Sequence, residues 1–247
     1  LTPDDLLLAV LILAAAALYS AIGHGGASAY LAAMGLVGLA PETMRPSVLA
    51  LNILVATLGV IRYTRAGFHD WKLLLPFALA SAPMAFVGGT VAIPGTFYRP
   101  LIGVVLFVAA AQMLRTAQRA AMHDARTSRP PLVAALGAGA AIGLFSGLTG
   151  TGGGVFLSPL LLFMGWATTR QTSGIAAAFI LANSVAGLAG TSLGAIAFPS
   201  AFPLWAAAAL GGGLIGTHLG TGKLPTAGLR VVLALVLAIA GVKLIAF

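Results

Sequence analysis

Long runs of uncharged apolar residues recur along this chain, and they constrain its fold more than any other feature. Leu73 to Val91, Leu101 to Leu114 and Gly174 to Phe198 approach or exceed the ~20 residues that a helix needs to cross a ~30 Å hydrocarbon core. Charged residues make up only 7% of the 247 and apolar residues 60%, where a soluble domain is about a quarter charged. Lipid is therefore the solvent, and the fold expected is an all-α, multi-pass membrane protein. The first run, Leu6 to Ser20, has the length of a signal-peptide core, but Asp4 and Asp5 flank it where a signal requires positive charge. It is read as mature structure.

The formal charge of +8 does not indicate nucleic acid. The basic residues are dispersed in short loops, without the clustered basic face and exposed aromatics that such binding uses. Cysteine is absent, which excludes disulfides, thiol catalysis and cysteine-held zinc. No metal site, cofactor or catalytic residue is assigned, and the expected partners are a small anionic solute and membrane lipid. A homodimer is compatible with this reading.

The chain repeats itself. Gly25-Gly26-Ala27 matches Gly152-Gly153-Gly154 at an offset of 127, Arg45-Pro46-Ser47 matches Arg170-Gln171-Thr172 at 125, and Arg99 matches Arg230 at 131. Each half then reads as two short apolar segments around a glycine cluster, followed by three longer segments. The short pairs are Leu6 to Ser20 with Ala27 to Leu39, and Leu132 to Leu148 with Val155 to Trp166. At 1.5 Å per residue these rise only ~20 to 25 Å, so they are expected to be re-entrant or discontinuous helices. Residues 1–116 form the first membrane repeat, 117–131 a cytoplasmic linker and 132–247 the second repeat.

The linker carries Arg119, Arg126 and Arg129, and positive residues stay on the cytoplasmic side. Tracing outward from it places ten of the thirteen Lys and Arg inside, with Arg45, Arg99 and Lys243 near the other face and both termini outside. Three spans after each hairpin then insert the halves in opposite senses, the inverted-repeat plan of many secondary transporters.

The two glycine loops, Gly23-His24-Gly25-Gly26 and Gly150-Thr151-Gly152-Gly153-Gly154, would meet near the midplane. Non-helical backbone is tolerated at that depth only inside protein or beside a wet cavity. Each loop precedes a helix N-terminus, whose free N–H groups and positive dipole end favour an anion. Polar side chains costly in lipid surround the loops: His24, Ser28, Asn52, Ser146, Thr149, Thr151, Thr172, Ser173, Asn183 and Ser184. Such residues face the protein interior and mark a solute path, although a hydroxyl can instead bond back to its own helix. An amide has four hydrogen-bonding sites to satisfy, which singles out Asn52 and Asn183. His24 could carry charge or a proton near neutral pH, or simply pack. Arg45 and Arg170 occupy matching positions from which they could draw anions to the two mouths, with topology anchoring as the alternative. None of the five acids lies in an apolar segment, so a buried carboxylate relay is not expected.

The two-half plan, the run Gly152-Gly153-Gly154-Val155-Phe156-Leu157-Ser158-Pro159 and the loop Arg65-Ala66-Gly67-Phe68-His69-Asp70-Trp71 resemble the TauE/SafE sulfite exporter family. That resemblance implies a bacterial inner-membrane permease exporting sulfite, sulfonates or sulfoacetate, or moving related organic acids. The first half departs from the pattern, with His24 and Ser28 in place of a full glycine run and no proline following, which leaves the substrate within the family open. Two other functions were weighed. A passive anion channel could use the same amides. An intramembrane hydrolase would need His218 within hydrogen-bond reach of Ser28, which no spacing secures.

Overall fold

Helix ends are set by local chemistry that the apolar runs alone do not reveal. The computed structural model describes residues 2–119, 128–194, 196, 198–221, 234, 237–238 and 242. In chain order the helices are α1 (Pro3–Ser20), α2 (Ala27–Val37), α3 (Pro41–Arg65), α4 (Trp71–Thr90), α5 (Gly95–Arg119), α6 (Leu132–Thr149), α7 (Gly154–Phe163), α8 (Thr169–Thr191) and α9 (Phe202–Gly220). Thr2 and Asp5 form a reciprocal capping box that opens α1, and Thr168 with Gln171 does the same for α8. Asp70 accepts the Leu73 N–H to open α4.

Seven of these helices are long and apolar enough to cross a membrane, whereas α2 and α7 are short, at 11 and 10 residues. The first helix of each expected short pair is longer than the apolar run suggested, by Pro3, Asp4 and Asp5 at the start of α1 and by Thr149 at the end of α6. At 18 residues each, α1 and α6 rise about 27 Å, close to a full crossing. The third long segment of the second half, the match of Arg99 with Arg230, most of the linker, and Arg126, Lys223 and Lys243 lie outside the described residues.

The interior is mostly apolar, and large apolar side chains also cover the outside. Val133 is 82% exposed and Asn52 fully buried, as expected where lipid bathes the outside.

The tightest packing is backbone against backbone. Gly139, Gly143 and Gly147 lay α6 on α4, where an added Cβ would overlap the carbonyls of Phe77, Ser81 and Ala85. Gly212, Gly216 and Gly220 do the same for α9 on α1, against Leu13, Ala17 and Ala21. Numbered against the sequence repeat, the leading helix of each half therefore packs on the fourth helix of the other, while α3 and α8 pair with one another.

Four described basic side chains lie at one end of the bundle, whereas Arg45 lies at the other. Arg62 and Arg65 close α3, Lys72 opens α4 and Arg170 opens α8. Contacts hold these termini together: the Ser128 N–H donates to the Gly165 carbonyl at 3.0 Å, and His69 Nδ1–H to that of Gly174 at 3.1 Å. At the opposite end, Thr191 of α8 donates to the Gly89 carbonyl of α4.

A leucine at Gly143 or a valine at Gly216 should lower the thermal midpoint in micelles sharply, since overpacking costs about 1–3 kcal/mol or more. Gly137 has open space where its Cβ would stand, so Gly137→Ala should leave the midpoint unchanged or slightly raised. Burial holds His69 below its usual pKa of 6.5, against the opposing pull of the Gly174 carbonyl and Asp70. A base with a depressed folded pKa stabilises the fold above its unfolded value and loses that contribution as pH falls. Thermal unfolding should therefore show a loss of stability as pH drops below about 6.5, which His69→Gln reduces.

Candidate functional site

Both glycine loops turn through left-handed backbone that side chains avoid. Gly23 has φ 79° and Gly26 97° in the first loop, and Gly150, Gly152 and Gly153 have 81°, 74° and 78° in the second. Gly26 and Gly153 are the N-caps of α2 and α7, and neither helix start has a side-chain cap. The leading N–H groups of a helix have no partner within it, so two uncapped positive ends face the interior of the bundle.

What lies between the loops is Asn52 from α3 and Ile180 from α8, each close to the middle of its helix. A Cβ on Gly25 would overlap Asn52 Oδ1 and lie 3.3 Å from Ile180 Cγ2. One on Gly152 would lie 2.9 Å from Asn52 Nδ2, 2.9 Å from Ile180 Cγ2 and 3.1 Å from Ser184 Oγ. Asn52 thus touches both loops at once. It is 0% exposed, and neither its Oδ1 nor its Nδ2 has a hydrogen-bond partner, and the buried Ser184 Oγ has none either. Leaving such a group unsatisfied costs about 1–3 kcal/mol, and a solute supplying the missing partners would recover that cost.

Asn183, equally buried, is already spoken for. Its Oδ1 accepts from Ser81 of α4, and its Nδ2 points to the Gly152 carbonyl at 3.5 Å. It braces the second loop. Thr149 Oγ1 bonds back to the Phe145 carbonyl at 2.6 Å and lies 3.0 Å from Thr151 Oγ1, so these two hydroxyls stiffen the approach to Gly152. Ser28 donates to Tyr19 Oη at 2.9 Å, and His218 is exposed in the last turn of α9. The serine is paired with a phenol and not with a base.

His24 donates from Nδ1 to the Ile22 carbonyl at 3.1 Å, and its Cδ2 stands 3.6 Å from where Gly154 would carry a Cβ. Its ring therefore faces the second loop across the gap. On that side a cavity of about 30 Å³ is lined by His24, Gln112, Ser158, Thr172 and Ser173 among others. Thr172 Oγ1 is buried without a partner.

The other side opens into a cavity of about 580 Å³ bordered by Arg45, Thr90, Tyr98 and Thr191. The Arg45 guanidinium donates to the carbonyls of Gly88, Gly89 and Val91 at 2.7, 2.6 and 2.8 Å. These bonds close the C-terminus of α4, while Arg45 Nε is buried without a hydrogen-bond partner. Arg170, its counterpart in the repeat, is exposed and lies 5.3 Å from the Phe68 ring. Among the described residues no cluster of three His, Cys, Asp or Glu side chains occurs.

Over residues 7–244 the chain matches the family model described as sulfite exporter TauE/SafE. The chain belongs to that family. It is also 41% identical over 239 residues to a protein of Sinorhizobium fredii (strain NBRC 101917 / NGR234) named "Probable membrane transporter protein y4hK", covering 96% of this chain and 97% of the relative. No solved structure matches it. This TauE/SafE chain is thus a multi-pass membrane transporter. Within it, sequence reasoning missed Ile180, an isoleucine in an unbroken apolar run with no local feature to distinguish it.

Replacing Asn52 by leucine, which branches at the same carbon, removes the unsatisfied amide and should raise the thermal midpoint of the protein without solute. The same change should abolish stabilisation by a bound anion. Scans with and without solute read both effects.

Proposed function

We propose that this chain exports small sulfur-containing anions such as sulfite, sulfonates or sulfoacetate across the bacterial inner membrane, as a secondary transporter. The anion binds at the midplane between the two glycine loops. The observation that carries this reading is the fully buried, unpartnered Asn52 amide lying between two uncapped helix N-termini. The backbone at Gly25, Gly26, Gly152, Gly153 and Gly154 supplies close approach and Asn52 and Ser184 supply side-chain donors. Gly23, His24 and Thr172 border the inner approach. Ser28, Thr149, Thr151 and Asn183 hold the loops in place, while Arg45 and Arg170 set the potential at the mouths. Neutral donors aided by dipoles suit a compact oxyanion, as at other helix N-termini.

The halves, 1–116 and 132–247, are inverted repeats whose glycine hairpins enter from opposite faces. The exchange of partners that sets α1 on α9 and α6 on α4 supports this plan. So do the loop contacts. Ser20 accepts from Tyr63 near the basic end of α3, whereas Gly150 lies against Arg45 near the opposite end. The filled gap between the two cavities favours alternating access over a permanently open channel, because Asn52 and Ile180 occupy the middle.

Purified protein screened for thermal stabilisation by sulfite, sulfate, thiosulfate, taurine, sulfoacetate and lactate tests the reading. A ligand at a hundred times its Kd adds about 2.7 kcal/mol. Sulfite or a sulfonate should raise the midpoint, and proteoliposomes should move the same anion with carrier-like saturation. Valines at Gly25 or Gly153 strain the loops themselves, so Asn52→Leu and Ser184→Ala are the cleaner site variants. Stabilisation by lactate alone, or sulfonate binding unaltered in both variants, would overturn the assignment.

A further inference from the structure

We propose that Ile180 sets the size and shape of the group a transported anion may carry behind its charged head. This rests on the midplane site proposed above and names its specificity-determining wall. Positions where three loop glycines would bear a Cβ are closed by this one side chain. Its Cγ2 lies 3.3 Å from that of Gly25 and 2.9 Å from that of Gly152, and its Cγ1 is 2.6 Å from that of Gly154, with Cδ1 closer still. Ile180 is 2% exposed. It reaches the first loop, the second loop and the start of α7, and it stands beside the unpartnered atoms of Asn52 and Ser184.

An oxyanion held by the helix N-termini and Asn52 must put its remaining substituent against something, and Ile180 is the apolar side chain that meets both loops, whereas Ile142 and Phe179 meet Gly153 of the second. A β-branched side chain on a helix has essentially one χ1 rotamer, so this wall does not swing aside as leucine or methionine would. The opposite half offers no equivalent. Counted from the helix starts, Pro41 of α3 and Thr169 of α8, Ile180 corresponds to Asn52, whose side chain is a polar amide and not an apolar wall. The filter is therefore one-sided, and a solute with a small head and a short tail fits where a bulky one cannot.

The test is competition binding of methanesulfonate, propanesulfonate and benzenesulfonate to the purified full chain, comparing wild type with Ile180→Val, Ile180→Ala and Ile180→Phe. Wild type should prefer methanesulfonate. Ile180→Ala should shift the preference toward propanesulfonate by at least about tenfold, the scale on which pockets discriminate by methylene groups. Ile180→Val, which folds with the smallest change, should shift it in the same direction by less, and Ile180→Phe in the reverse direction. A side chain that only supported the fold would weaken all three ligands alike, so ratios unchanged across the variants overturn the inference while leaving the midplane site standing. If wild type binds none of the three sulfonates, this inference falls, and sulfite in the same assay shows whether the midplane site stands.

Discussion

Helices in a bilayer gain little by burying leucine against leucine, because the lipid they leave is equally apolar. Cohesion must come from close backbone contact and from polar groups that find one another. This transporter relies on the first along α4–α6 and α1–α9, where glycines spaced four apart bring one helix onto the carbonyls of the next. The pair α3 and α8 carries Asn52, Ile180 and Ser184, which stand against the glycine loops.

Polar groups divide into two sets within this frame. Asn183 with Ser81, Thr149 with Phe145, and Arg45 with the end of α4 are paired and hold parts in place. Asn52 and Ser184, a few ångströms away, are buried and unpaired. In a low-dielectric interior a satisfied network rigidifies and an unsatisfied group is expensive. Other buried groups are unpaired too, among them Ser47 and Ser146, and Asn52 and Ser184 stand out by lying against Gly152 of the second loop.

Much of the fold was legible in the sequence and much of the site was not. Apolar runs located the long helices but underestimated α1 and α5, since Asp4 and Asp5 at one start and Arg115 and Arg119 at the other end are polar residues that still belong to the helix. Glycine loops stood out because left-handed turns leave few alternatives to glycine. Asn52 and Asn183 looked alike in one dimension, and the positions of Ser81 on α4 and Gly152 in the second loop tell them apart. Arg45 and Arg170 matched in the repeat, yet one is buried against α4 and the other is exposed. Pairing across distant segments decides these roles, and periodicity does not record it.

Arg45 also gives the large cavity a mechanical property. Its guanidinium grips the terminus of α4, and its Cγ stands 3.3 Å from where Gly150 would carry a Cβ. The neighbouring Tyr98 hydroxyl donates to the Thr149 carbonyl at 2.9 Å. The rim of the large cavity and the turn into the second glycine loop are thus one linked piece, a lever whose short arm is a single arginine. Widening that rim drags the loop with it, so the geometry of the mouth and the geometry of the site change in step.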